Sequence, residues 1–360
     1  MVLLSPASRA SPGVVSIDQQ LLQTGARLGK LLRPAVHAAD LDRRVSARNL
    51  HLCAALGALA VETAKALGAS AEDADRAGHA AAMLSLVTKV DDQIIDSPDF
   101  HGGMQTDRAA LRDRCTRFLA PTLTSIRTGR PATDEPRCQL AAQLGCALRD
   151  LGSHGDRLSV LLDEIAHGWG VQVDAVAVFS AHPSTVDLET VAGVTAQISG
   201  SWLRMISLVG TLAPGALRGF TVDEHRAFTE WGRAIQQADA LADLGKDIAD
   251  GLVSSLPAWL LHDVGPGAWE AGLACPEIAV AAHNIDVRCV VSAAELGGLR
   301  ARLSGLGKVP ALLHWIHGFL LFRYLQGPAC VRPMDHPAMA PHMGSVGSWA
   351  AYLGAAGQGS

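Results

Sequence analysis

The sequence predicts an all-α protein, and three observations carry that prediction. Nearly half of the 360 residues are hydrophobic, with Ala and Leu abundant. Aromatic residues make up only 4%, and Tyr occurs only at Tyr324 and Tyr352, whereas strands favour aromatic and β-branched side chains. Apolar residues recur at helical spacing from Ile17 to about Leu325, and no segment alternates as a strand would. A chain of this length can bury a large core. The expected architecture is therefore a single-domain helical bundle with a central cavity between facing helices.

Taken in order, residues 1–16 carry Ser, Pro and Gly and read as a flexible leader. Helices are expected over Ile17–Leu32, Ala47–Leu67, Ala71–Asp96, Arg108–Thr128, Asp134–Leu151, Arg157–Val178, Val186–Leu212 and Val222–Ala249. Four more follow over Val253–His262, Glu277–Asn284, Ala293–Ser304 and Leu312–Leu325. The punctuation agrees: Ser184-Thr185 precedes Val186, Thr221 precedes Val222, and Gly-Pro pairs stand at Gly265-Pro266 and Gly327-Pro328. The helical domain thus covers residues 17–326, and a Gly/Pro/Met/His-rich tail, read as flexible, follows over 327–360.

Composition narrows the function classes. A net charge of −5 gives no reason to expect nucleic acid as a partner. No basic segment leading into an apolar one opens the chain, and the longest apolar stretch, Val309 to Tyr324, is interrupted by His314, His317 and Arg323. The seven cysteines form no CxxC pair and are odd in number, which fits free thiols in a reducing cytoplasm. The fourteen histidines show no HExxH spacing and read as structural or surface residues. A cytoplasmic protein is expected, working as a monomer or homodimer, with peripheral membrane contact left open should the substrate be a lipid.

Two acidic segments point to chemistry. The first is Asp91-Asp92-Gln93-Ile94-Ile95-Asp96, and the second runs through Asp239, Asp243, Asp247 and Asp250. On a helix, Asp92 and Asp96 stand one above the other, and the second set shares one stripe. Stacked like charges repel by a few tenths of a kcal/mol per pair. Such stacks suit a divalent metal: hard carboxylate oxygens, Asp91 included, favour Mg²⁺, with Mn²⁺ able to replace it, and phosphate oxygens usually complete the shell. The alternative is two solvated faces. Met83, Val87, Val90 and Ile94 form an apolar stripe with Ser85, Lys89, Asp92 and Asp96 opposite. Asp91 fits that alternative poorly, because it projects toward Leu84, Val87 and Ile95.

These motifs resemble the squalene and phytoene synthase family. Asp92-Gln93-Ile94-Ile95-Asp96 matches its first DxxxD motif. Gln236 through Asp239, Asp243, Asp247 and Asp250-Gly251, followed by Leu256-Pro257, resembles its second. Asp163-Glu164-Ile165-Ala166-His167-Gly168 to Asp174 looks like the family's pocket-lining helix, and Val191-Ala192-Gly193-Val194-Thr195 to Gly200 like the one after it. The likeness covers roughly residues 80–260 and departs in three places. Asp91-Asp92 is closer to the DDxxD of elongating prenyltransferases and terpene cyclases. Gly29-Lys30-Leu31-Leu32-Arg33-Pro34 echoes the diphosphate grip of the elongating enzymes. Lys246 stands where the family has Arg.

The resemblance implies an isoprenoid synthase fold and a Mg²⁺-dependent prenyltransferase acting on C10–C20 allylic diphosphates. Asp92, Asp96, Asp239 and Asp243 would be catalytic. Asp91, Asp92, Asp96, Asp239, Asp243 and Asp247 would hold metal. Lys246, Arg204, Gln172 and Trp169 would contact substrate, and Ala166, Gly168, Gly170, Val173, Val194, Ile198 and Gly200 would wall the pocket. Trp169, Trp202 and Phe179 are candidates to face a cation. A class I terpene cyclase on the same fold is the alternative, weighed down by the shortage of aromatics. A non-catalytic helical partner is the second alternative.

Overall fold

The structure, a computed structural model, describes residues 17–38, 47–102, 107–152, 155–180, 187–249, 252–265, 267 and 293–325. Every regular element among them is helical. The helices are α1 (Ile17–Ala38), α2 (Ala47–Ala66), α3 (Ala71–Ile95), the single turn α4 (Pro98–His101), α5 (Arg108–Thr128) and α6 (Pro136–Asp150). They continue with α7 (Gly155–Phe179), α8 (Leu188–Val209), α9 (Val222–Ala249), α10 (Ser255–Val264), α11 (Ala293–Arg302) and α12 (Val309–Leu325). The helix expected over Glu277–Asn284, the leader over 1–16 and the tail over 327–360 lie outside the described residues.

Local chemistry explains the boundaries. The Ser70 hydroxyl accepts from the Asp73 amide at 3.1 Å, and Asp107 from that of Ala110 at 2.9 Å, opening α3 and α5. Asp187 caps α8 by accepting from the Thr190 amide at 3.0 Å. Helix α9 opens with a reciprocal capping box: the Glu224 amide donates to Thr221 Oγ1 at 3.2 Å, and the Thr221 amide donates to Glu224 Oε2 at 2.7 Å. Gly129, at φ 67°, closes α5 in the left-handed conformation and donates to the Ser125 carbonyl at 2.8 Å. The expectation that ended α1 at Leu32 falls short, because Pro34 lies inside the helix.

The contacts run in a closed circuit: α2 packs on α3, α3 on α8, α8 on α9, α9 on α12 and α12 back on α2. Helix α7 packs against α8 and α5, and α6 packs against α5 and α3. Close approach depends on missing side chains. A Cβ on Gly57 would stand 2.5 Å from the Gly78 carbonyl oxygen, so α2 and α3 meet backbone to backbone. Gly200 brings α8 against Thr229 of α9, where a Cβ would stand 2.7 Å from the threonine methyl. No helix among the described residues is long and apolar enough to cross a membrane.

These contacts make a paired prediction. Gly57→Ala should lose about 1–3 kcal/mol to overpacking, although Ala gains roughly 1 kcal/mol in helix propensity. Gly170→Ala, on an exposed stretch of α7 with nothing within 4 Å, should keep that propensity gain. Urea denaturation followed by circular dichroism reads both, and the two midpoints should move in opposite directions.

Candidate functional site

Residues of α2, α3, α7, α8, α9 and α12 line one cavity of about 590 Å³. Each helix contributes one stripe at i, i+3/i+4 spacing, as a single helical face must. From α3 come Ser85, Lys89, Asp92 and Asp96, from α7 Ile165, Trp169, Gln172, Val176 and Phe179, and from α8 Thr195, Ile198, Trp202 and Met205. Helix α9 presents Gln236, Asp239 and Asp247, and α12 presents Trp315, Ile316, Phe319 and Leu320. The two acidic segments, far apart in sequence, therefore border the same space. Of the proposed metal set, Asp92, Asp96, Asp239 and Asp247 line it. The backbones of Asp243 and Lys246 belong to α9, but their side chains, like all of Asp250, lie outside the described residues.

Asp92 is held from both sides. Lys89 Nζ donates to its Oδ2 at 2.9 Å, and Gln172 Nε2 on α7 donates to its Oδ1 at 2.8 Å. Gln172, expected as a substrate contact, thus stands beside the acidic cluster. Lys89 gathers the electrostatics. Its ammonium is stabilised above the ordinary lysine range, first by Asp92, with Asp239 and Asp96 adding to the effect against partial burial. A charge on α3 thereby feels carboxylates of both α3 and α9. At the far end of α9, the Ser254 hydroxyl donates to Asp247 Oδ2 at 2.5 Å.

The rest of the lining combines apolar and aromatic side chains with polar ones such as Thr88, Thr195, Ser201 and Gln236. Trp169, Phe179, Trp202, Trp315 and Phe319 all face the cavity, and the Trp315 and Phe319 rings stack with centroids 5.3 Å apart. Cys53 of α2 also lines it, and burial pushes its thiol up to about 12, so it stays protonated. Cys53, Cys115, Cys138 and Cys146 are free thiols.

The structure corrects several expectations. Asp91 is not a cavity residue. It is fully buried, and its Oδ1 pairs with the guanidinium of Arg137 on α6 at 3.4 Å. Arg137 also donates to Thr122 Oγ1 at 2.7 Å, bonds Glu135 at 2.5 Å, and lies 3.7 Å from the Phe118 ring centroid. On a helix, neighbours point about 100° apart, so Asp91 braces α3 against α5 and α6 while Asp92 faces the cavity. Arg204 does not line the cavity either: its guanidinium bonds Glu164 of α7 through two nitrogens, one at 2.9 Å, and Thr229 of α9 at 2.8 Å.

The wall predicted from small residues is only partly present. Gly168 and Ile198 line the cavity. Ala166, Gly170, Val173, Val194 and Gly200 do not, because positions 166, 170 and 173 fall off the stripe through 165, 169, 172 and 176. Helix α7 runs unbroken through Gly168 and Gly170. Gly29 to Pro34 lies within α1 and contributes nothing to this cavity. Sequence reasoning missed Lys89 and the whole face of α12. The signal for the latter was present as Trp315-Phe319-Leu320, an i, i+4, i+5 apolar stripe.

No protein family matches the chain, and no curated protein matches it.

The split between the two neighbouring aspartates is testable. Burial, opposed by Arg137, raises the Asp91 carboxyl to about 6, against about 3.9 in an unfolded chain. The folded state therefore prefers the neutral form. The resulting stability is fully present below pH ~4 and is lost as pH rises through 6, a change on the order of 3 kcal/mol. Stability of the wild type should fall relative to Asp91→Asn across that window in urea titrations.

Proposed function

We propose that this chain is a Mg²⁺-dependent synthase acting on allylic isoprenoid diphosphates, of the squalene and phytoene synthase type, on an isoprenoid synthase fold. One observation carries the reading: carboxylates of α3 and α9 line one cavity whose wall is otherwise largely apolar and aromatic. Such a space suits a long hydrocarbon chain bearing a charged head.

The donors fit the metal. Among the described residues no three His, Cys, Asp or Glu side chains are already gathered to hold an ion. Mg²⁺ does not require that: it is usually bound through one or two carboxylates and fills its octahedron with water and substrate phosphate. Asp92 and Asp96 on one side, and Asp239, Asp243 and Asp247 on the other, would hold it. When bound, Mg²⁺ supplies charge neutralisation for the departing diphosphate.

The chain's own residues supply the rest. Gln172 fixes one oxygen of Asp92 and so orients the carboxylate. Ile165, Val176, Ile198 and Leu320 exclude water from the allylic carbon as its bond to the diphosphate oxygen breaks. The faces of Trp169, Trp202 and Phe179 offer negative π density to the positive charge left on the chain.

A second reading has its own observation. Although aromatics are scarce overall, five rings are concentrated around this cavity, which favours a terpene cyclase acting on one diphosphate. Product mass separates the two after incubation with Mg²⁺ and C10, C15 or C20 diphosphates, singly and in pairs, with and without isopentenyl diphosphate. Doubled carbon number means coupling, a five-carbon increment means elongation, and a cyclic hydrocarbon of unchanged carbon number means cyclisation. No turnover of any of them, or full turnover in excess chelator, would refute the metal-dependent enzyme. Asp92→Asn and Asp243→Asn should each reduce turnover by at least about 10²-fold and leave the circular dichroism spectrum unchanged.

A further inference from the structure

We propose that Lys89 is a built-in counter-ion that occupies Asp92 in the metal-free protein and must leave it before a divalent cation can bind. The inference rests on the metal-dependent reading above and goes beyond it by naming what the metal displaces. Both oxygens of Asp92 are already engaged, Oδ2 by the Lys89 ammonium at 2.9 Å and Oδ1 by Gln172 at 2.8 Å. A neutral amide can stay beside a metal-bound carboxylate. An ammonium cannot share the same oxygen with a dication without strong repulsion.

The geometry gives Lys89 a way out. It sits one helical turn before Asp92, on the same stripe as Ser85 and Asp96 and at the cavity wall. Its side chain is 42% exposed, so the flexible stem can swing without disturbing the core. The pair is a single contact between two partly buried side chains, and a dication carries twice the charge of the ammonium, so it can displace it. Once displaced, the ammonium, the one cationic side chain among the described residues that line the cavity, is placed to receive an anion carried with the metal. Metal and diphosphate should therefore bind better together than either does alone, with Lys89 as the coupling element.

The test uses Mn²⁺ as a spectroscopic substitute for Mg²⁺. Free Mn²⁺ is counted by electron paramagnetic resonance in titrations of the full chain, with and without inorganic pyrophosphate. For the wild type, weak binding of Mn²⁺ alone and marked strengthening by pyrophosphate are expected. Lys89→Met should bind Mn²⁺ alone about tenfold more tightly or better, because no ammonium competes, and should lose most of the strengthening by pyrophosphate. Lys89→Gln keeps a polar head and should behave the same way, which guards against a packing defect peculiar to Met. Circular dichroism melts of each variant confirm the fold. If both variants bind Mn²⁺ as the wild type does, the counter-ion role is overturned while the metal site stands. If no protein binds Mn²⁺ even with pyrophosphate, the metal site itself is refuted, and the counter-ion role falls with it.

Discussion

Carboxylates at the wall of a largely apolar cavity repel one another, and a positive charge among them eases that repulsion. Asp92 and Asp96 share one stripe of α3, and Asp239 faces the same space from α9. Water is partly excluded there, so the repulsion is screened less than on an open surface. In the protein as it stands, the Lys89 ammonium supplies that charge. Gln172 reaches across from α7 to the other oxygen of Asp92, and five aromatic side chains line the same cavity.

The frame that holds these charges in place is built from small residues. Helices α2 and α3 meet through Gly57 and Gly78, and α8 meets α9 at Gly200. Such approaches lock helices at fixed spacing, because an interior packed this densely leaves little room to slide. The Asp91–Arg137 pair contributes on the outer side of α3, joining it to α5 and α6. One helix thus carries two adjacent aspartates with opposite assignments, the first to the frame and the second to the cavity.

Much of this was legible in the sequence. Periodicity placed both ends of Arg108–Thr128, which Asp107 and Gly129 mark, and the start of the helix at Val222, which follows Thr221. The expectation for α1 stopped at Leu32, although the helix continues with Pro34 inside it to Ala38. The stripe of Ser85, Lys89, Asp92 and Asp96 was legible as a face, yet sequence alone reads a polar face as solvated. Only tertiary packing turns it toward a cavity: Ser85 is fully buried. The ion pairs of Asp91 with Arg137 and Arg204 with Glu164 join residues far apart in sequence, and no local pattern announces them. Small size was a poor guide to the cavity wall, since helical phase, not volume, decides which residues of α7 face inward.

The central claim is that α3 and α9 contribute their carboxylates to one charged site. A double-mutant cycle over Asp92→Asn and Asp239→Asn, read as the affinity for Mn²⁺ in the presence of pyrophosphate, tests it most directly. One shared site predicts strong coupling, so that the double variant loses far less than the product of the two single losses. Independent, multiplicative effects, or no effect of either substitution, would contradict it.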